Sequence, residues 1–305
     1  FPQQQRTTVG SVQMLNGEPI NQSVFSNDPF NPVASASLPE IIAKQSDIQT
    51  VAVRRGEYDT LDFAPRQKTI WLFDASTQED LETISHMLRR KGRYRVTGGS
   101  AGFASTFSSA LGLRGHAGGQ SIRGMHLAVI CGSINPISHE QVIRAQQAGF
   151  LRCNLAADVI LGERFEAESV VGCVLESRLH GAPIIIDTCD TFSREEKRIY
   201  AQRHGIDATR MRTLINTRLG KVTKALCKAD SDLLPVLVGG DTLFGFLRQL
   251  GSEALTPVKE LFPGCVLSMV TWEKKRRPIV SKSGGFGWSE LLLELERMTK
   301  ERYVV

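Results

Sequence analysis

Four stretches of this chain place small residues with a hydroxyl or a carboxylate where an apolar run gives out. They are Gly98-Gly99-Ser100-Ala101-Gly102, Gly132-Ser133 to Pro136, Gly239-Gly240-Asp241-Thr242 and Ser283 to Gly287. The third has the clearest pattern. Leu234 to Val238 is a short apolar run, and Leu243, Phe246, Leu247 and Leu250 follow the turn at helical spacing. Strand, glycine turn and helix start bring backbone N–H groups together, and the helix dipole favours an anion there. That is the make-up of a phosphate-binding turn. In open α/β sheets the carboxyl edge of the strands is where ligands gather, and each of the four turns is expected on such an edge.

The polar residues at these turns have two readings each. Asp241 either caps the following helix or faces a metal ion and a transferred phosphoryl group. Lys282 either offsets phosphate charge or ends a strand in solvent, and the Ser133 hydroxyl is a further donor. Asp74 and Asp187 end apolar runs and read chiefly as turn formers. His126 and His139 lack a motif-placed Ser or Cys and read as structural, and Cys131 reads as a small packing residue and not as a nucleophile. Two phosphate-site fingerprints are missing: no GxxxxGK[ST] is present, and no clean GxGxxG follows the first strand. A nucleotide site of another design is required.

The elements that position these turns alternate between strand-like and helix-like patterns. An Asn16-Gly17 hairpin turn comes first, and 26–32 reads as an ordered loop. A helix is expected over 38–45, strands near Thr50–Val53 and Lys68–Phe73, a helix over Thr77–Arg90, a strand at Tyr94–Val96 and a helix to Leu111. The four glycines of 114–124 mark a linker, which sets 1–114 and 125–305 apart with 115–124 between them. Strands then follow at His126–Ile130, Ala157–Leu161, Pro183–Ile186 and Leu234–Val238. Helices are expected over 137–148 with Ser138 as cap, 167–180, 193–203, 208–228 and 288–302. Cys265–Thr271 and Pro278–Ser281 read as antiparallel strands around a solvated tip at Lys274–Arg277. The alternation predicts an α/β protein of two domains, with mainly parallel sheets flanked by helices.

Composition excludes several classes. The chain has 305 residues, 41% hydrophobic and 23% charged, as in a soluble globular protein. No apolar run approaches the roughly 20 residues that span a bilayer, so no membrane partner is expected. A formal charge of +5 suits an anionic small molecule, and the dispersed basic residues argue against nucleic acid. The six scattered cysteines show no zinc spacing, which predicts a reducing, cytoplasmic setting without disulfides or a protein metal motif. There is no signal-peptide pattern, and the chain begins at Phe1, which reads as a processed protein or part of a longer one.

Taken together these pieces resemble the four-carbon acid sugar kinase family, the threonate- and erythronate-type kinases. The carboxyl-terminal pattern carries most of the match: Cys131-Gly132-Ser133 with Pro136, Ala148-Gly149-Phe150, Val238 to Thr242, Phe262-Pro263-Gly264 and Pro278 to Gly287. Arg6-Thr7-Thr8, Asn16-Gly17, Phe25 to Asp28 with Pro32, Phe73-Asp74-Ala75 and Gly99 to Gly102 extend it over the first part. The resemblance implies ATP with Mg2+ as cofactors and a small-molecule sugar acid as substrate. It places nucleotide contacts on Ser133, Gly239, Gly240, Asp241, Thr242, Lys282, Gly284 and Gly285, with Asp241 the candidate catalytic residue. It places acid-sugar contacts at Arg6, Gly99 and Ser100. The family's opening ADDFTGA-like and KxDSTxRG-like segments are absent from these residues, so a truncated kinase is expected, with a non-catalytic nucleotide-binding protein as the alternative. Such a first domain should expose apolar surface and self-associate into a homo-oligomer.

Overall fold

The computed structural model describes residues 1–300 except 28–31, 64–66, 116–118, 134, 178–180, 191–198, 201–202 and 253. Most of the expected 193–203 helix, part of the 26–32 loop, part of the 115–124 linker and the ends of the 167–180 and 288–302 helices lie outside the described residues. The chain divides into two compact units, Phe1–His116 and Ala117–Val305.

In the first unit, β1 (Arg6–Val9), β2 (Val12–Leu15) and β3 (Glu18–Pro19) form an antiparallel sheet. Asn16 and Gly17 turn β2 into β3 with φ of 53° and 84°, the left-handed backbone that such a turn requires. After α1 (Leu38–Ala43), β4 (Gln49–Val53) and β5 (Thr69–Phe73) pair in parallel. Then come α2 (Gln78–Arg90) and α3 (Ala101–Ala110). A capping box starts α2: Thr77 Oγ1 accepts from Asp80 N, and the Asp80 carboxylate accepts from Thr77 N. Val53, Tyr58, Leu81, Ile84, Met87 and Phe107 are its core. Tyr94–Val96 forms no strand. Its two apolar side chains alternate with arginines and neither is buried: Tyr94 is 44% exposed and Val96 96%.

The second unit carries the sheet that matters for function. Its elements are β6 (His126–Cys131), α4 (Pro136–Gln147), β7 (Leu151–Asn154), α5 (Ala157–Leu161), α6 (Ala167–Ser177), β8 (Ile184–Asp187) and α7 (Ala208–Ala229). They continue with β9 (Leu233–Val238), α8 (Gly240–Leu250), β10 (Thr256–Phe262), β11 (Cys265–Trp272), β12 (Lys275–Lys282) and α9 (Leu291–Lys300). Seven strands lie in the order β10-β11-β12-β9-β6-β8-β7. The five from β12 to β7 are parallel, and β11 and β10 continue antiparallel. Ala157–Leu161 is therefore a helix, and the strand beside β8 is Leu151–Asn154. The apolar run is too short for its period to distinguish the two. The last helix begins at Leu291, three residues later than expected.

Every residue of β9 and β8 is buried, because helices cover both faces of the sheet. Leu127, Val129, Leu234 and Val236 pack on one face with Val142 and Ala145 of α4 and Leu291, Leu292 and Leu295 of α9. Ala128, Ile130, Ile184 and Leu237 pack on the other with α5, α6, α7 and α8. Helices α7 and α8 meet at glycines. A Cβ on Gly245 would lie 2.2 Å from Asn216 O, and one on Gly220 would lie 2.4 Å from Gly245 O. Backbone cannot yield as a side-chain tip can, so Gly245→Ala is expected to cost about 3 kcal/mol in urea unfolding. An unchanged midpoint would show that the helices can separate freely.

Among the described residues, no helix is long and apolar enough to cross a membrane.

Candidate functional site

The chain leaves β6 toward β7 and β8 on one side, then returns through α7 to β9 on the other side, so the order reverses between β6 and β9. That reversal opens a crevice at the carboxyl ends of the two strands. The register sharpens the picture. Lys282 pairs with Val238, Val238 with Cys131, Cys131 with Asp187, and Asp187 with Asn154. One row of residues thus ends five parallel strands together. Directly beyond it come the turns Ser283–Gly285, Gly239–Thr242 and Gly132–Ser133.

Close contacts hold these turns against one another. Gly239 N donates to Lys282 O at 2.8 Å. A Cβ on Gly132 would lie 2.6 Å from Thr242 Oγ1, and one on Gly284 would lie 2.5 Å from Ser133 Oγ. A Cβ on Gly285 would lie 3.3 Å from Asn135 Nδ2. Gly239 has φ of 102°, a conformation that suits glycine and lets the backbone leave β9 sharply. The structure thus brings Ser133, Gly239, Gly240, Thr242, Lys282, Gly284 and Gly285 to one place.

The start of α8, like that of the short α5 at Ala156, has no side-chain cap. Ser37, Thr77, Ser100, Asn135 and Asp207 each cap a helix with a side chain, whereas Gly239 heads α8 and no side chain caps it. Its first amides are left for an anion. Asp241 is not the cap that the sequence allowed. Its carboxylate takes both arms of the Arg212 guanidinium from α7, at 2.7 Å each. Arg212 is a partner that sequence reasoning missed, because it lies 29 residues away on another helix.

Lys282 is not an exposed strand-end lysine either: it is 2% exposed. Its Nζ donates to Ser283 O at 2.9 Å, and among the described residues no carboxylate forms a salt bridge with it. Burial pulls its pKa down to about 8, and the facing Cys131 and Cys265 thiols oppose the shift. Such an amine sits ready to accept an anionic partner.

Helix α4 fastens the terminal turn. Ser138 does not cap α4. Pro136 occupies the first turn, where its missing N–H costs nothing, and Asn135 Oδ1 accepts from Ile137 N. Ser138 instead donates to Gly284 O at 2.7 Å, and Gln141 Nε2 donates to Phe286 O and Trp288 O. Both side chains are 1% exposed. They were invisible in the sequence, since their partners lie about 146 residues on.

Beyond β8 lies a polar network. Asp187 is fully buried and accepts from Arg152 Nε and Nη2, Asn154 Nδ2 and Cys189 N. Its lone pairs are used internally, which suits the turn-former reading. Asp190 accepts from Arg152 and pairs with His139 Nε2 at 2.6 Å. Burial pushes the Asp190 carboxyl up, but the hydrogen bonds from His139 and Arg152 outweigh it and hold the group below its usual range. His126 pairs with Asp230 at the opposite end of β6.

In the first unit, Asp74 also forms a turn. Its two oxygens accept from Gly10 N at 2.7 Å and Ser11 N at 2.8 Å, and so clamp the β1–β2 turn. Arg6 lies over the Phe25 ring at 5.1 Å. Ser100 caps α3, and both it and Gly99 are exposed. Phe1 lies between these groups: its amino group donates to Arg6 O, and its ring fills the space beside Gly102.

A glycine-turn crevice at the switch point of a parallel sheet defines a nucleotide-binding class of domain, and the family comparison agrees. Residues 128–292 match the nucleotide-binding C-terminal domain, and residues 1–107 match the sugar-binding N-terminal domain. The chain belongs to the four-carbon acid sugar kinase family. It is 26% identical over 317 residues to a D-threonate kinase of Salmonella typhimurium, covering 99% of this chain and 73% of that protein. A 3-oxo-tetronate kinase of Methylobacterium radiotolerans is 26% identical, over 95% of this chain and 70% of the relative. A D-erythronate kinase of Heliobacterium modesticaldum is 26% identical over 52% of this chain and 37% of the relative. The fold also matches solved proteins from Salmonella typhimurium LT2 (TM-score 0.72, 18% identity) and Haemophilus influenzae (TM-score 0.65, 16% identity), each over 98% of this chain and 72% of the other.

Proposed function

We propose that this chain is an ATP-dependent kinase of a four-carbon sugar acid of the threonate or erythronate type. The observation that carries the reading is the uncapped start of α8 at the switch point, packed against Gly132-Ser133 and Ser283–Gly285. We assign 125–305 to the nucleotide, 1–114 to the sugar acid and 115–124 to the link between them. Arg6, Gly99 and Ser100 are the residues we assign to the acid.

Glycine at 132 and 284 lets the Thr242 and Ser133 hydroxyls close against the backbone, so the three turns stand side by side with their donors together. Amides of Gly240, Asp241 and Thr242 would receive phosphate oxygens, with Ser133 Oγ beside them and the Lys282 ammonium behind. Mg2+ fits the donor set in its usual manner. It takes one or two carboxylates together with substrate phosphates and waters, and Asp241 is the carboxylate at this cradle. Among the described residues, no group of three metal-ligating side chains forms a protein cage. When bound, the ion would neutralise charge that develops on the transferred group. Arg212 holds both oxygens of the Asp241 carboxylate in one orientation, and Asp241 would have to share them to hold such an ion.

The test is a thermal shift with ATP·Mg2+, alone and then with D-threonate or D-erythronate, followed by an assay of acid-dependent ADP release. A ligand that binds only the folded state raises its stability by mass action. Shifts with both ligands and ADP release are expected. A shift with ATP alone would favour a non-catalytic nucleotide-binding protein, and no shift at all would overturn the nucleotide reading. Asp241→Asn is expected to cut turnover by roughly a hundredfold or more, the scale on which single charge-stabilising groups act. Near-normal turnover would remove Asp241 from the mechanism.

A further inference from the structure

Cys131 ends β6, and Cys189 follows β8 by two residues. Their Sγ atoms lie 3.6 Å apart, directly beneath the Gly132-Ser133 turn. Cys189 Sγ also points at Ser133 O, 3.7 Å away. We propose that these two thiols form a redox-modifiable pair whose disulfide weakens binding at the nucleotide turns. The second half of this inference rests on the nucleotide reading given above.

The two sulfurs are unequal. The hydrogen bond with Cys189 lowers the Cys131 thiol, and the Ser133 N–H and the Lys282 ammonium act in the same direction, while burial and Asp187 oppose it. The same contact, followed by burial, pushes Cys189 up. Cys131 is therefore the attacking thiolate and Cys189 the resolving thiol. Cys131 is itself buried, but Gly132, Ser133 and Cys189 around it are each partly exposed, so the way in for a small oxidant is one residue deep. Cys227 and Cys265 differ: burial pushes each to about 12.

With hydrogen peroxide as oxidant, the Cys131 thiolate attacks one oxygen, the O–O bond breaks and hydroxide leaves. The resulting sulfenic acid is attacked by the Cys189 sulfur. The S–S bond forms, the S–O bond breaks, and the second hydroxide departs as water with the Cys189 proton. Two thiols lose two electrons in all, and one peroxide becomes two waters. A disulfide is about 2.05 Å long, so the sulfurs must approach each other by roughly 1.5 Å. Cys189 then turns away from Ser133 O, and the turn after β6 is tied to the loop after β8.

The experiment uses the chain carrying Cys173→Ser, which removes the exposed thiol. Protein treated with hydrogen peroxide is alkylated and digested, and ATP·Mg2+ affinity is measured calorimetrically before oxidation, after it and after dithiothreitol. The expected result is a peptide pair joined through Cys131 and Cys189, with a Kd raised threefold or more and restored by dithiothreitol. Adding Cys189→Ser should leave the Kd insensitive to peroxide. The proposal is overturned if no such pair forms in excess peroxide, or if it forms with the Kd unchanged. Absence of ATP binding by the reduced protein would sink the nucleotide reading instead, and the joined peptides would still decide whether the thiols react.

Discussion

ATP affinity is expected to fall as pH rises through about 8, by up to roughly tenfold per pH unit, and Lys282→Met is expected to abolish that dependence. The physical basis is a buried ammonium whose one hydrogen bond found among the described residues goes to Ser283 O. Burial lowers its pKa to about 8, so the charge that would offset phosphate is lost above that pH. A bound phosphate favours the charged form and raises the pKa again, so binding near pH 8 should take up a proton. Calorimetry in buffers of different ionisation enthalpy reads that uptake directly. A flat affinity profile over roughly pH 7 to 9.5 would show that the amine does not face the phosphates.

Stability without ligand runs the opposite way. The folded chain gives up this proton near 8, and the unfolded chain near the ordinary lysine value of 10.5. The unfolded state therefore binds more protons across that window, and stability rises with pH there, by at most about 3 kcal/mol. Lys282→Met lacks the rise, so one substitution should flatten two profiles of opposite slope. A merely structural lysine would flatten only one.

Asp187→Ala is expected to destabilise the second unit by about 3 kcal/mol in urea unfolding, because it takes the buried carboxylate from the Arg152 guanidinium and leaves it only the half-exposed Asp190 as an ionic partner. The Arg152 side chain is 7% exposed and Asp187 is 0% exposed. The carboxylate also fixes Cys189 N, so the loop after β8 should loosen at the same time. Replacing both partners, Arg152→Met with Asp187→Asn, should cost less than the two single changes together. If the two costs simply add, the pair does not act as a unit.

The turns of the second unit were legible because glycine, serine and apolar runs advertise them within a few residues. Val238 to Thr242 reads as strand, turn and helix without outside information, and the alternation of elements was enough to give an α/β fold with a mainly parallel sheet. The partners at those turns were not legible. Ser138 and Gln141 look like ordinary helix positions until Gly284, Phe286 and Trp288 are placed against them. Asp241 looked like a cap because local sequence cannot show Arg212 on the neighbouring helix. Lys282 kept two readings because a lysine at a strand end is often exposed, and it is the sheet order, with β11 on one side and β9 on the other, that buries it. The reading of Ala157–Leu161 as a strand has the same origin: five residues carry no decisive period.

The position of β12 between β9 and β11 has a consequence for how the chain is made. Strands β6, β8 and β9 can associate once residue 238 has left the ribosome, but β9 is then the outermost strand of the growing sheet, with an unpaired apolar edge. That edge stays open until Lys275–Lys282 has been synthesised and slotted in, and Ser283–Gly285 arrives later still. A nascent chain therefore passes through an interval in which it is sticky and has only part of its glycine turns. Nucleotide cannot rescue it during that time, since Ser283–Gly285, the last wall of the cradle, is translated after β12. Holding chaperones, more than ligand, are what such a chain needs until β12 and the turn after it have emerged.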